Sequence, residues 1–248
     1  MIEIRNIKKS FGDKEVLKDI SCVFDKGKTN LLIGASGSGK TTITKCIVGL
    51  HEVDAGEILY SGKNFSTMNQ KERKEIRKEI GFMFQGSALF DSLSVEDNIK
   101  FPMQMFSKQT AKEMLDRCNY CLDRVGMPGT NKLFPSELSG GMKKRVGIAR
   151  AIAMNPKYLF CDEPNSGLDP QTSIVIDDLI KGITVEFDIT TIVVTHDMNS
   201  VIEIGDKIFF LYKGEKSWEG TNKEILKTEV DQVKRFVYAS KFINEIIK

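Results

Sequence analysis

Hydrophobic and polar residues follow two different periods along the chain, and each period predicts one kind of element. Short apolar runs bounded by glycines and polar turns predict β-strands over Ile2–Ile7, Thr29–Ile33, Glu57–Tyr60, Ile80–Phe84, Tyr158–Cys161, Thr191–Thr195 and Lys207–Tyr212. Longer segments with apolar residues at helical spacing predict helices over Lys40–Gly49, Asn69–Lys78, Lys108–Val125, Gly140–Met154 and Pro170–Glu186. Because strands alternate with helices, we expect an α/β fold with a mainly parallel sheet.

The two ends and the middle of the chain depart from this alternation. The first ~30 residues begin like a hairpin and predict an antiparallel β piece. The section from about 86 to 155 carries no strand pattern, so we expect a helical insertion there. After Gly220, the residues Val230, Val233, Val237, Phe242 and Ile246 recur every three to five positions among charged residues, which predicts an amphipathic terminal helix.

Composition excludes several classes of protein. Lys and Arg number 36 against 34 Asp and Glu, a net charge of +2, so we expect no nucleic-acid partner. The basic clusters at 71–78 and 143–145 are interpreted as solvated helix faces. No apolar run approaches the ~18–20 residues of a membrane span and no signal peptide is evident, so a cytosolic chain with five reduced cysteines is expected. Cys118 and Cys121 are interpreted as packing thiols rather than zinc ligands.

The segment GASGSGKT at 34–41 is the clearest chemical signal. It fits the pattern GxxxxGK[ST], follows the apolar strand LLI and precedes a helix. Small residues let backbone N–H groups cradle an anion at the helix N-terminus, where Lys40 can reach phosphates and the Thr41 hydroxyl can hold Mg²⁺.

Further polar residues follow apolar strands of the same predicted sheet. Asp162 ends the run YLFC and is the expected Mg²⁺ ligand, while Glu163 is expected on the opposite side of an extended backbone, as the acceptor of a proton from an attacking water. Gln85 and His196 also follow strands. Since ligands collect at the carboxyl ends of parallel strands, we expect these residues to converge with Lys40.

The stretch LSGGMKKRVGIARA at 138–151 predicts a helix that begins with two glycines after an N-capping serine. Glycine in a helix costs about 1 kcal/mol relative to alanine. We therefore expect something to approach this backbone closely. By helical spacing Met142 is a packing residue.

Taken in order, these motifs resemble the ATP-binding subunits of ABC transporters. The segments are the phosphate loop (34–42), Gln85, the signature loop LSGGM (138–142), YLFCDE (158–163), the aspartate loop SGLD (166–169) and the switch residue His196. The resemblance implies catalytic roles for Lys40, Gln85, Glu163 and His196, and Mg²⁺ ligation by Thr41, Gln85 and Asp162. It implies ATP contacts from Phe11, which matches the adenine-stacking aromatic, and from Gly34, Ala35, Ser36, Gly37, Ser38, Gly39, Lys40, Thr41, Thr42, Ser139, Gly140, Gly141 and Asp169.

The resemblance also implies an architecture and an assembly. The fold would be that of a P-loop NTPase, with a RecA-like mainly parallel core sheet, an N-terminal antiparallel β subdomain and an inserted helical signature subdomain at about 86–155. Residues 1–222 would form the ATP-binding domain and 223–248 a C-terminal helical extension, which packs on its own core or reaches the partner subunit. Two subunits would form a head-to-tail homodimer with two ATP at the interface, the signature loop of each closing over the ATP of the other.

A finer similarity, to the Mla/Mce lipid-transport subgroup (MlaF-like), lies in LSGGM, RVGIARAIA and the segment GSALFDSL after Gln85. It implies an integral-membrane permease (MlaE-like) and an MCE-domain lipid-binding protein (MlaD-like) as partners, with the ATPase on the cytoplasmic face of a bacterial inner membrane. The apolar stretch Ser87 to Met105 would contact the permease or form a satellite core. An ABC ATPase of another system remains the alternative: lipoprotein-extracting, divisome-associated or amino-acid importing. Translation and DNA-repair ABC proteins are disfavoured, as is a non-hydrolysing subunit, because Glu163 and His196 are both present.

Overall fold

The structure, a computed structural model, describes residues 1–239 and begins with an antiparallel sheet. Its strands are β1 (Ile2–Phe11), β2 (Lys14–Phe24), β4 (Ala55–Tyr60) and the short β5 (Lys63–Asn64), in the order β2-β1-β4-β5. Ile2, Ile4 and Ile7 of β1 are buried, so this sheet presents one apolar face to the rest of the chain. The predicted antiparallel β piece is thus present. Its first hairpin, β1 and β2, is longer than the apolar runs indicated.

A six-stranded sheet forms the centre of the molecule, in the order β10-β9-β3-β8-β7-β6. Its strands are β3 (Thr29–Ile33), β6 (Ile80–Met83), β7 (Tyr158–Asp162), β8 (Thr190–Val194), β9 (Lys207–Tyr212) and β10 (Glu215–Gly220). All neighbours pair in parallel except β9 and β10. The expectation of a mainly parallel sheet is therefore confirmed.

Helices cover both faces of this sheet. They are α1 (Lys40–Ile47), α2 (Gln70–Lys78), α3 (Val95–Phe106), α4 (Ala111–Arg124), α5 (Gly140–Ile152), α6 (Pro170–Glu186), α7 (Met198–Ile204), α8 (Asn222–Ile225) and α9 (Asp231–Tyr238). Two short 3₁₀ turns lie at Phe65–Thr67 and Pro135–Glu137. Between β6 and β7 the described chain forms helices and no strand, as expected for the insertion.

The residues of the central strands alternate between two hydrophobic cores. Leu159 and Cys161 of β7 face a core shared with α3 to α7, while Tyr158 and Phe160 face a core shared with α1 and the antiparallel sheet. Alternate side chains of a strand point to opposite faces, and both faces here are covered. Because both faces of these strands are buried, their sequences are nearly continuous apolar runs.

The strand β10 and the helices α3, α7 and α8 were not anticipated as elements. Helix α3 begins within the stretch from Ser87 to Met105, ends one residue beyond it and contains Pro102, a residue that ordinarily argues against a helix interior. A start signal was nonetheless present, because Ser94 accepts from the backbone N–H of Asp97 and two acidic residues occupy the first turn.

Cys118 and Cys121 are packing residues, as expected. Both are completely buried in the core on α4, and burial raises the pKa of Cys118 to about 12 and of Cys121 to about 11. Thiols held protonated in this way are poor metal ligands. Within residues 1–239 there is no cluster of acidic, histidine and cysteine side chains suited to a metal ion, and the five cysteines are free and buried.

The amphipathic C-terminal helix is present as α9. Val233 and Val237 are buried in the core of the same chain, and the ring of Phe236 packs edge-on against Phe210 at 5.3 Å. Phe242 and Ile246 lie outside the described residues. The helix packs on its own core over the described part, and contact with a partner subunit stays a prediction.

No helix in residues 1–239 combines the length and the apolar character that crossing a membrane requires.

Two glycine substitutions test how the sheet packs on its helices. A Cβ on Gly81 in β6 would lie 2.2 Å from the backbone oxygen of Ala151, whereas a Cβ on Gly182 in α6 meets nothing within 4 Å. We expect Gly81→Ala to lower the free energy of unfolding by about 1–3 kcal/mol through overpacking, and Gly182→Ala to raise it by up to about 1 kcal/mol. Thermal unfolding gives the melting temperature of each variant, and equal melting temperatures would contradict the packing described.

Candidate nucleotide site at the carboxyl edge of the central sheet

An open cavity of about 820 Å³ lies where several parallel strands end. The chain segments that follow β3, β6, β7 and β8 all contribute to it. Its lining includes the expected residues Phe11, Gly34, Ala35, Ser36, Gly37, Gly39, Lys40, Thr41, Thr42, Gln85, Asp162, Glu163 and His196. The predicted convergence of Lys40 with Gln85, Asp162, Glu163 and His196 is thus present in the structure.

The phosphate loop connects β3 to α1 in a conformation suited to an anion. Gly34 has a φ of 142°, and a Cβ there would lie 2.2 Å from the backbone oxygen of Leu211, so only glycine fits. No side chain caps the first turn of α1, although side-chain oxygens cap α2 to α7. The first N–H groups of α1 are therefore available to a phosphate in the cavity.

Lys40 lies directly over this loop. It is 9% exposed, and its Nζ donates to the backbone oxygens of Gly34 at 2.7 Å and Ala35 at 3.1 Å. Burial lowers the pKa of Lys40, while the nearby carboxylates of Glu163 and Asp162 raise it. The ammonium is thus fixed at the cavity wall with an acidic pair in front of it.

Ser38 differs from the rest of the loop. It is absent from the cavity lining, and its hydroxyl is buried and makes no hydrogen bond within the described chain. The residue was expected to contact the ligand. Its side chain points into the space beside Gly34 instead, so any contact from this position comes from the backbone.

Asp162 and Glu163 both line the cavity, which corrects the expectation that they point to opposite sides of an extended backbone. Glu163 has a φ of 47°, in the left-handed region, and its N–H donates to the backbone oxygen of Val194 at 2.8 Å. This turn places the second carboxylate on the same side as the first. Burial, and secondly the charge of Glu163, raise the pKa of Asp162.

His196 lies against Glu163. The His196 Nδ1 is 2.9 Å from Oε1 of Glu163 and 2.8 Å from Oε2. The histidine side chain is 67% exposed and the glutamate 15%. The contact orients the glutamate from its solvent side and leaves the outer face of the imidazole accessible.

The aromatic end of the cavity contains a residue that the sequence did not single out. Phe11 is 46% exposed, the ring of His51 meets its ring edge-on at 5.2 Å, and Lys9 Nζ lies 5.4 Å above its centroid. Phe236 of α9 lines the same cavity. The position of Phe11 ahead of the phosphate loop allowed the sequence to identify it, whereas no local pattern identified His51 or Phe236.

The signature loop lies outside this cavity. Ser139 caps α5 by accepting from the N–H of Met142 at 3.3 Å, as predicted, and Met142 packs against the core. A Cβ on Gly141 would lie 2.6 Å from Cγ2 of Thr172 at the start of α6. Close packing within the chain therefore accounts for one of the two glycines, and Gly140 is exposed.

Asp169, in the aspartate loop, also has a local role. Its carboxylate accepts from the N–H of Thr172 at 3.0 Å and from the Thr172 hydroxyl at 2.6 Å, which caps α6. These two bonds lower the pKa of Asp169. They also fix the threonine whose methyl group packs against Gly141.

Neither basic cluster is a uniformly solvated face. In the cluster at 71–78, Arg73 is buried and donates to the Glu52 carboxylate and to the backbone oxygen of Ser66, so the interpretation was wrong for that residue.

The cluster at 143–145 also contains a buried cation. Lys144 is 5% exposed, and its Nζ donates to the backbone oxygens of Gln85 and Glu163 and to the hydroxyl of Ser166. The interpretation of the whole cluster as solvated was wrong for this residue, because two backbone oxygens and one hydroxyl oxygen from other parts of the chain surround its amine.

A buried polar cluster connects the segment after Glu163 to α7. Asn165 Nδ2 donates to Asp177 Oδ1 and to Ser200 Oγ, each at 2.9 Å. Burial raises the pKa of Asp177 to about 6, although the bonds from Ser200 and Asn165 oppose that rise. The cluster joins α6 and α7 behind the loop that carries the two carboxylates of the cavity.

Comparisons with known proteins agree with this site. The family described as "ABC transporter" matches residues 17–166. The methionine import ATP-binding protein MetN of Campylobacter jejuni is 37% identical over 261 residues, covering 99% of this chain and 78% of that protein. The probable ribonucleotide transport ATP-binding protein mkl of Mycobacterium leprae is 35% identical, covering 95% and 68%.

A solved structure shares the architecture. The ATP-binding cassette MJ0796, described as a dimeric post-hydrolysis state bound to ADP and Pi, superposes with a TM-score of 0.81. It is 30% identical in sequence, and the superposition covers 90% of this chain and 99% of that one.

The buried Asp177 generates a prediction about pH. Its pKa in the folded chain lies above the ordinary value of 3.8, so between about pH 4 and 6 the folded state holds a proton that the unfolded state has lost. The contribution of this group to the free energy of unfolding therefore falls as the pH rises through that window, by roughly 3 kcal/mol in all. We therefore compare the melting temperature of Asp177→Asn with that of the unsubstituted chain at two pH values. We expect the difference to shift in favour of the variant when the pH is raised from 5 to 7.5.

Asp116, exposed on α4 and outside this cluster, provides the control, because Asp116→Asn should show the same difference from the unsubstituted chain at both pH values. Thermal unfolding followed by circular dichroism measures all three proteins. A difference for Asp177→Asn that does not change with pH would contradict the prediction.

Proposed function

The chain belongs to the ABC transporter family of ATP-binding proteins, and from that membership we propose that it drives a membrane permease with ATP bound in the cavity described above. As a member of the family it is an ATP hydrolase that acts as a dimer and pairs with membrane permease components. The roles of the individual residues, the magnesium ion, the partner proteins and the cargo belong to the proposal.

The roles of the residues are inferred from one observation. A buried ammonium and two carboxylates lie together beside a helix N-terminus that no side chain caps. Lys40 and the N–H groups of α1 supply positive charge for the phosphates. The carboxylates of Asp162 and Glu163 lie beside them in the same cavity. A phosphate group, a cation and an attacking water together complement this charge pattern.

The residues present fit a magnesium ion. The Thr41 hydroxyl, the Gln85 side chain and the Asp162 carboxylate offer oxygen ligands in one cavity. Burial, and secondly the charge of Glu163, raise the pKa of Asp162, so a cation at this position would stabilise its charged form. Bound there, Mg²⁺ would neutralise charge on the phosphates.

Glu163 is the proposed general base. It accepts a proton from water near the γ-phosphate, and the contact with His196 Nδ1 fixes the orientation of its carboxylate. His196, with its outer face exposed, would contact the γ-phosphate. Phe11, which lines the cavity and is 46% exposed, would stack on the adenine.

The signature loop completes the site from a second subunit. Ser139, Gly140 and Gly141 stand at the N-terminus of α5 outside the cavity of their own chain, so they would act on ATP held by the partner. The helix N-terminus and the absence of side chains on the glycines suit a phosphate contact. The dimeric state described for MJ0796 supports this arrangement.

The surface after Gln85 is the proposed contact with the permease. Asn98 is completely buried and bonds the backbone N–H and C=O of Phe90, which holds the turn that carries this ring. Phe90 packs on Phe101 with ring centroids 4.8 Å apart, and both rings are exposed. Met105 and Phe106 extend the apolar patch. A cytoplasmic helix of a permease is the proposed occupant.

For the cargo we retain phospholipid or another apolar lipid, through a permease of the MlaE-like type and an MCE-domain protein of the MlaD-like type. LSGGM and the sequence after Gln85 support this subgroup. The ATPase would then work on the cytoplasmic face of a bacterial inner membrane, touching the membrane only through the permease. Methionine import is the second candidate, favoured by the identity of 37% to 38% with MetN proteins.

The base assignment predicts a separation of binding from turnover. Glu163→Gln should retain ATP binding, measured with a fluorescent nucleotide, and should lose at least about a hundredfold in kcat, since a general base contributes 10²–10⁴. Glu203→Gln, an exposed glutamate on α7, is the matched control and should hydrolyse normally. Turnover by Glu163→Gln at the unsubstituted rate would show that Glu163 is not the base.

The proposed partners predict which proteins co-purify with the full-length chain from detergent-solubilised native membranes. Purification should recover a permease, an MCE-domain protein and phospholipid, whereas a permease with a methionine-binding protein would support the second candidate. Phe101→Ser should lower recovery of the permease without changing ATP binding. Tyr120→Ser removes an equally exposed ring on α4 and should not.

A further inference from the structure

Lys144 joins the signature helix to three segments of the catalytic region. Its Nζ donates to the backbone oxygens of Gln85 and of Glu163, the latter at 3.2 Å, and to Ser166 Oγ at 3.3 Å. The residue itself lies one turn into α5 and is 5% exposed. One ammonium therefore connects α5 to the candidate metal-binding segment, the candidate base and the aspartate loop.

Other contacts of α5 reinforce the first of these connections. Arg150 donates to the backbone oxygens of Ser87 and Ala88, the latter at 2.8 Å. Both acceptor residues have positive φ, 62° and 44°. Gly147 lies between the two cations and leaves room for Ser87, which would be 3.3 Å from a Cβ there. The segment after Gln85 is thus fixed to α5 along two helical turns.

The contact with Glu163 has a different character, because Glu163 adopts a backbone conformation that a glutamate rarely adopts. Its φ of 47° costs about 1 kcal/mol or more and persists only where the surroundings hold it. The N–H donates to Val194 O at 2.8 Å, and the C=O accepts from Lys144 Nζ and from the N–H of Ser166, each at 3.2 Å. This conformation is the one that turns the Glu163 carboxylate into the cavity.

We propose that Lys144 is a positioning residue for ATP hydrolysis, which holds the Glu163 backbone in its left-handed conformation and ties it to the signature helix. The inference rests on the proposed role of Glu163 as base. Lys144 does not line the nucleotide cavity, so it acts through Glu163 and Gln85 rather than on ATP.

The charge of Lys144 suits this role better than a neutral side chain would. Burial lowers the pKa of Lys144, while the carboxylates of Glu163 and Asp162 raise it. An ammonium has three donors, and three oxygens accept from it here. Charge-assisted bonds of this kind are roughly twice as strong as neutral ones. A methionine of similar length would leave the same carbonyl groups without this donor.

The test compares Lys144→Met and Lys144→Gln in the purified full-length chain. We expect Lys144→Met to lower kcat at least tenfold while KM for ATP and fluorescent-nucleotide binding stay within about threefold. Lys144→Gln should recover part of the rate, since its amide keeps N–H donors at slightly shorter reach. Lys181→Met is the matched control, because Lys181 also donates to a backbone oxygen, that of Glu203 at 3.0 Å, but does so away from the cavity.

The outcomes separate this inference from the proposed function. A kcat for Lys144→Met within twofold of the unsubstituted chain, or a rise in KM with kcat unchanged, overturns the positioning role. Glu163→Gln, measured in parallel, tests the base assignment, and normal turnover there overturns both. Should Lys144→Met fail to fold, Lys144→Gln is judged by the same change in kcat relative to Lys181→Met.

Discussion

Parallel pairing of β3 with β8, and of β8 with β7, determines where all the chemistry of this chain can occur. The pairing runs through Leu31 with Val193 and Leu159 with Thr191, so these strands end side by side. The phosphate loop, the acidic pair and His196 then emerge at the same edge without any long-range adjustment. Because the strands are buried on both faces, a shift in register by one residue would exchange side chains between the two cores and disturb the packing of both.

Buried charge is concentrated next to this edge, and each buried charge has partners. Lys40 and Lys144 are each less than a tenth exposed, and both direct their amines at backbone oxygens around the acidic pair. Each pairs with carbonyl dipoles at close range and with carboxylates farther away. The acidic pair thus lies near two buried cations, one on α1 and the other on α5.

The sequence predicted the central strands and the phosphate loop because both depend on local signals, apolar runs and glycine spacing. It could not predict the conformation of Glu163, since two of the three groups that bond its backbone belong to Val194 and Lys144, which are distant in sequence. Lys144 itself looked like one of several solvated cations. Only the tertiary arrangement shows that backbone oxygens surround its amine. Helix α3 was missed because Pro102 obscured a start signal at Ser94.

The contact between Gly141 and Thr172 has a mechanical consequence for assembly. Asp169 holds Thr172 by two hydrogen bonds, and the methyl group of Thr172 leaves no room for a side chain on Gly141. The first turns of α5 and α6 are therefore closely packed against each other and form one rigid unit. A partner subunit that binds at the signature loop would meet these two turns already ordered, so their ordering would add little conformational entropy to the cost of association.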